Sequence, residues 1–265
     1  MNFLGNITIG QYVPGNSFLH KLDPRSKIIF NLVMITVVFL VNDLFQYALI
    51  GAITVTVMIL SKVPITYYLK GLKALWILIA LTAVFQIFSG GGRVIASFWF
   101  FKITEVALYN TIFITLRLVF IILIASTLTL TTSPIRLADG LEALMNTVRV
   151  PREWSHDFSM MISIAFRFIP VLAVEADHVM KAQLSRGARF DKGGLIQRMK
   201  SLVPLIIPLF VGAVRMADEL AVAMEARCYR GVEGRTKYKQ LVLKKGDYFF
   251  MLASLALIGT VFVHL

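Results

Sequence analysis

The stretch SHDFSMMISIAFRFIPVLAVEADHVMKAQLSRG, residues 155–187, decides the architecture. Ser155, Ser159, Ser163 and Arg167 recur every four residues, drawing one polar stripe on a helix otherwise covered by Phe158, Met161, Ile162, Phe166 and Ile169. Arg167-Phe168-Ile169-Pro170 should kink that helix without ending it, because the apolar pattern resumes and continues toward Arg186. A second long segment begins around Ser201, carries Pro204 and Pro208, and reaches Arg227. Ala213, Ala217 and Ala221 fall on one four-residue stripe of it, and small residues at that spacing let two helices cross closely. Inside a bilayer, Arg167, Glu175, Asp177, Lys181, Arg215, Asp218, Glu219 and Glu225 would each cost about 2.5 to 3.5 kcal/mol. Two helices lying along or below the membrane surface avoid that cost, and an Arg215–Glu219 pair at i,i+4 would suit a wet face.

Each segment closes on an arginine-centred triplet, Ser185-Arg186-Gly187 and Ala226-Arg227-Cys228. A guanidinium is a rigid, permanently charged fork, suited to entering an acidic groove on a partner. Taken singly, either triplet also reads as an ordinary helix C-terminus, with the cation complementing the macrodipole and Gly187 or Gly231 acting as a stop signal.

The rest of the 265 residues place these segments beside a membrane. With 57% hydrophobic and 16% charged residues and a mean hydropathy of +0.75, the chain is too apolar for a soluble domain. Apolar blocks run over 28–41, 44–60, 67–88, 106–130 and 248–265, the first lengthened by a start near Leu22 or Pro24. Asn42-Asp43 makes the turn between the first two, and Gly90-Gly91-Gly92 follows the third. The net charge of +12 would suggest nucleic acid in a polar chain, but 18 of the 27 Lys and Arg lie between 131 and 245, beside apolar blocks. With Lys21, Arg25, Lys27, Lys62, Lys70 and Lys73 they mark the cytosolic side. The expected fold is therefore an all-α integral membrane protein of about five transmembrane helices plus two long amphipathic cytosolic helices. Its parts are a four-span membrane domain over 1–130, a cytosolic region over 131–245 and a last span over 246–265, with a cytosolic N-terminus. No basic n-region followed by an apolar core opens the chain, so no cleavable signal peptide is expected.

Other constellations point to little chemistry. Cys228 is the single cysteine, which rules out an intrachain disulfide. His156-Asp157 and Asp177-His178 lack metal-ligand spacing, and no G-x-x-x-x-G-K-[ST] phosphate loop occurs, so no catalytic, cofactor or metal residues are expected. Arg117, inside the fourth apolar block, is expected to contact backbone carbonyls or a neighbouring helix. Asp23-Pro24-Arg25 reads as an N-cap followed by proline in the first turn. A self-sufficient permease or a membrane-embedded enzyme are the competing functions. The first lacks paired broken spans in matching halves, the second a nucleophile-base or metal pattern.

Leu22-Asp23-Pro24-Arg25-Ser26-Lys27, Arg167-Phe168-Ile169-Pro170, and the two arginine triplets with Met224-Glu225 before the second, occur in this order from about His20 to Gly231. In that combination the chain resembles the transmembrane T component of energy-coupling-factor ABC importers, which take up vitamins and transition-metal ions. The resemblance implies a non-catalytic scaffold in the bacterial cytoplasmic membrane. Its partners would be two cytosolic ATPases and a small membrane-embedded substrate-binding subunit, with no cofactor of its own. It implies two coupling helices crossing as an X or V, Arg186 and Arg227 each entering a groove on one ATPase, and a crossing that we expect at Ala213, Ala217 and Ala221. ATP-driven closure would move the arginine-tipped ends. Re-packing of the helices, aided by Met160, Met161, Met180, Met199, Met216 and Met224, would then drive release from the substrate subunit. Family triplets are often Ala-Arg-Ser or Ala-Arg-Gly, and the sequence alone leaves the role of Cys228 open.

Overall fold

The computed structural model describes residues 12–41, 43–88, 94–98, 101–148, 151–188, 194–231 and 242–263. They form two compact units, residues 10–141 with 241–265, and residues 142–240.

The first unit is a bundle. A short helix, α1 (Phe18–Lys21), leads into α2 (Pro24–Leu40) and α3 (Leu44–Ser61). Next come α4 (Ile65–Ala74), α5 (Trp76–Phe88), a two-stranded antiparallel ribbon of β1 (Val94–Phe98) and β2 (Phe101–Thr104), and α6 (Glu105–Thr131). Most of α7 (Pro134–Thr147) and all of α10 (Lys245–Val263) complete it. Buried side chains recur at helical spacing, Phe30, Met34, Val37 and Val38 on α2 with Val41 at its C-cap, and Tyr47, Ile50, Ile53 and Val57 on α3. They pack with Phe113 and Ile124 of α6, and Phe250 of α10 meets Phe30 at 4.8 Å between ring centroids.

Four of the five expected apolar blocks appear as single helices close to their predicted bounds. The block over 67–88 instead breaks at Leu75 into α4 and α5, inclined by 56°. Basic Lys70 and Lys73 lie on α4, whereas α5 carries no charged residue and, among the described residues, has no fully buried side chain. The ribbon departs from an all-helical expectation, and its valine, isoleucine and phenylalanine content suits a pleated backbone. Asn42 and the Gly90-Gly91-Gly92 turn fall outside the described residues.

Helix ends in this bundle are closed by buried polar side chains. Asp23 is the N-cap of α2, its Oδ1 accepting from the Arg25 amide at 2.9 Å, with Pro24 in the first helical turn. Lys27 donates to the Thr131 carbonyl at 3.2 Å and to Thr132 Oγ1 at 3.1 Å, closing the C-terminal end of α6. Asp247, 1% exposed, accepts from the Asp23 amide at 2.6 Å through Oδ1 and from the Lys244 amide at 2.7 Å through Oδ2. Its Oδ1 also accepts from Ser26 Oγ at 3.2 Å. One carboxylate thus closes the starts of two helices far apart in sequence. Gly140 of α7 lies over this joint, where a Cβ would come within 2.9 Å of the Pro24 ring.

Arg117 is held as expected. Its Nη2 donates to the Val41 carbonyl at 3.0 Å and its Nε to the Tyr47 hydroxyl at 3.2 Å, beside the Phe39 ring.

Asp247→Ala should leave the buried Asp23 amide without its acceptor and cost about 1 to 3 kcal/mol. Thermal unfolding of the detergent-solubilised protein measures this, and Asp247→Asn, which keeps one acceptor oxygen, is expected to lose less.

Candidate functional site

The second unit carries the arginine triplets on two long helices, α8 (Arg152–Ser185) and α9 (Leu195–Ala226). Pro170 in α8, and Pro204 and Pro208 in α9, are accommodated without ending either helix. By length and apolarity the stretch Trp154–Ser185 could itself cross a membrane, as could α3, α6 and the bent α4–α5 pair. Its central turns between Phe158 and Val174 hold one charge, Arg167, while Glu175, Asp177 and Lys181 crowd its last third. Lys181 meets Asp177 at 2.5 Å, one turn apart. The expected Arg215–Glu219 bridge is not among the ion pairs of the described residues.

Both triplets fold into the same helix stop. Arg186 is the C-cap of α8, Gly187 follows with φ +86°, the Gly187 amide donates to the Leu184 carbonyl at 2.9 Å, and the Ala188 amide to the Gln183 carbonyl at 3.0 Å. Arg227 is the C-cap of α9, Cys228 follows with φ +58°, the Cys228 amide donates to the Glu225 carbonyl at 2.8 Å, and the Tyr229 amide to the Met224 carbonyl at 3.0 Å. Each is a Schellman motif, in which a left-handed residue turns the chain so that two amides satisfy the last free carbonyls. The third triplet position is therefore the left-handed one, and this is the structural role of Cys228. An L-residue there costs about 1 to 2 kcal/mol relative to the right-handed conformation, whereas glycine adopts it freely.

All six triplet residues are exposed. Among the described residues, neither Arg186 nor Arg227 has an ion pair or a side-chain hydrogen bond, and a guanidinium carries five N–H donors. The two helices run antiparallel, touching where Gln183 Nε2 donates to the Pro204 carbonyl at 3.2 Å and where Tyr229 reaches the first turns of α8. From Pro204 to Arg227 the helix advances roughly 35 Å at 1.5 Å per residue, so the arginines occupy opposite ends of the pair. Ala213 is half-buried, and Ala217 and Ala221 are exposed.

The polar stripe at the start of α8 turns inward. Ser155 and Ser159 are buried, and Ser155 Oγ lies 2.5 Å from Asn146 Oδ1 at the end of α7. His156 Nε2 is 3.3 Å from the Tyr229 hydroxyl, and its Nδ1 is 3.9 Å from Glu142 Oε1. The Tyr229 hydroxyl also reaches Met160 Sδ at 3.1 Å. Sequence reading missed Glu142 and Asn146, because α7 went unrecognised inside a long basic region, and Tyr229, because its partners His156 and Met160 lie far away in sequence.

Cys228→Gly should stabilise the end of α9 by about 1 kcal/mol, and Gly187→Ala should destabilise that of α8 by a similar amount. Hydrogen exchange at the Tyr229 and Ala188 amides reports both effects, in opposite directions.

Residues 15–238 match the family described as cobalt transport protein, CbiQ. The chain is similar over nearly its whole length to curated proteins named energy-coupling factor transporter transmembrane protein EcfT. That of Clostridium kluyveri is 50% identical over 255 residues, covering 96% of this chain and 94% of the relative. That of Thermosediminibacter oceani is 46% identical over 256 residues, covering 96% and 97%. In Bacillus subtilis the figure is 44% over 260 residues, with 98% of each chain covered.

Proposed function

The chain belongs to the CbiQ cobalt transport protein family and is the transmembrane T component of an energy-coupling-factor transporter, and from that premise we propose how it couples. Arg186 and Arg227 dock on the two cytosolic ATPases of the complex, one on each, and carry their motion to a membrane-embedded substrate subunit. The observation that supports this most is the repetition of one geometry. Two helix stops unrelated in their flanking sequence each leave an exposed arginine at the tip of a long helix, at opposite ends of an antiparallel pair. ATP hydrolysis belongs to the partners, and the choice of vitamin or metal ion belongs to the substrate subunit. This chain supplies the linkage.

In the topology we propose, α2, α3, the bent α4–α5 pair, α6 and α10 make five crossings of the bacterial cytoplasmic membrane. The N-terminus, α8 and α9 then face the cytosol. The charges in the last third of α8, and those at Arg215, Asp218, Glu219 and Glu225 of α9, favour a surface position over a buried one. The many exposed apolar residues of these helices, such as Phe210 and Val222, are suited to a greasy partner or the membrane surface. Ala213, Ala217 and Ala221 mark the face on which the two coupling helices cross as they are driven.

Three experiments test this reading. Arg186→Ala and Arg227→Ala should each weaken recovery of the ATPases from mild-detergent extracts, with a cost of about 2 to 5 kcal/mol if the partner charge stays buried. Wild-type recovery by the double variant would refute docking. In a Cys228→Ala background, a cysteine at Asp43 should react with impermeant maleimide outside intact cells, and one at Gly194 should not; the reverse pattern would overturn the orientation. Ala217→Trp should retain ATPase binding yet lower uptake per ATP in the reconstituted complex, since overpacking a crossing costs about 1 to 3 kcal/mol. Unchanged uptake per ATP would move the crossing elsewhere.

A further inference from the structure

We propose that Tyr229, His156 and Glu142 are positioning residues for the second arginine motif, holding the Arg227 tip against the base of α8 and the end of α7. The inference rests on the docking role of Arg227 proposed above. Tyr229 is the residue whose amide closes the Schellman turn, donating to the Met224 carbonyl at 3.0 Å, so its backbone is part of the same rigid stop that sets the direction of Arg227. Its side chain then leaves α9 altogether. The hydroxyl reaches Met160 Sδ at 3.1 Å and His156 Nε2 at 3.3 Å, one turn apart on α8. The other ring nitrogen of His156 faces the Glu142 carboxylate, within ion-pair distance at 3.9 Å. Glu142 is 3% exposed, and the neighbouring Ser155–Asn146 contact of 2.5 Å joins the same two segments.

A phenol, an imidazole and a carboxylate thus link three segments through polar contacts in a half-buried setting, where a fixed geometry matters more than in water. An arginine fork recognises its partner by direction as well as charge, so a tip that swings loses docking strength even with its guanidinium intact. The first arginine lacks this support by composition. The residue in the position equivalent to Tyr229 is Ala188, whose methyl group has no hydrogen-bonding atom. The two docking ends are therefore built differently, the second one tethered through its side chain and the first not.

Coupling energies between variants test the tether, with the full chain co-expressed with its two ATPases. The quantity read is the apparent affinity of the detergent-solubilised chain for the ATPases. Tyr229→Phe removes only the hydroxyl and should weaken that affinity about 3- to 10-fold. In an Arg227→Ala background the same change should have no further effect, while in an Arg186→Ala background its full effect should persist. His156→Ala should behave like Tyr229→Phe, and His156→Gln, which keeps a donor for the hydroxyl, should recover most of the loss. A Tyr229→Phe effect equal in both arginine backgrounds would overturn the tether, since it would then reflect general folding. So would wild-type affinity of Tyr229→Phe where Arg227→Ala is defective. Wild-type affinity of Arg227→Ala itself would instead remove the docking reading beneath it.

Discussion

The last carbonyls of a helix need donors, and a helix that must present something at its tip cannot bury that end to find them. Here the need is met from behind by a left-handed residue, Gly187 or Cys228, that folds the following amides back onto the helix. The cap residue left at the tip is arginine both times. Its charge complements the negative end of the macrodipole while the chain is free, and the same charge is available to a partner. The structural and the docking explanations of the triplets are therefore not rivals. The dipole favours the guanidinium at the tip, and the turn behind it keeps the fork in solvent.

The membrane bundle solves the same problem in the opposite way. Apolar surroundings offer no water to a helix terminus, so its ends must be satisfied from within. In the segment Leu22 to Lys27, Asp23 caps α2 and Lys27 closes α6, while Asp247 returns from the far end of the sequence to join α10 to them. A motif that looks like a recognition sequence is, in the fold, a joint of three helix ends. One unit thus spends its polar groups on internal closure and the other leaves its strongest ones, Arg186 and Arg227, exposed.

Much of this was legible in the sequence because helical periodicity survives any environment. The apolar blocks, the continuation through Pro170, the cap at Asp23 and the internal role of Arg117 all rest on local chemistry or on the cost of a charge in hydrocarbon. What escaped detection depended on distance along the chain. Asp247 closes a helix more than two hundred residues away, and nothing in its own neighbourhood advertises that. The bend at Leu75 lies in a run without proline or an obvious breaker, so period alone could not divide α4 from α5. The polar stripe of Ser155 and Ser159 was visible, yet its direction was not, because α7 and its Asn146 had to be placed first. Cys228 was unexplained until its φ of +58° assigned it to a position that glycine usually fills.

The central claim is that the two arginine-tipped ends receive motion from separate ATPases. Spin labels at Lys181 and Val222, both exposed and each about one turn from its arginine, would read it directly in the assembled complex with Cys228 replaced by alanine. The account predicts that the distance between the labels changes between the nucleotide-free and ATP-bound complex, and that Arg186→Ala or Arg227→Ala abolishes the change. A distance distribution that is the same in both nucleotide states, with the ATPases bound and active, would contradict it.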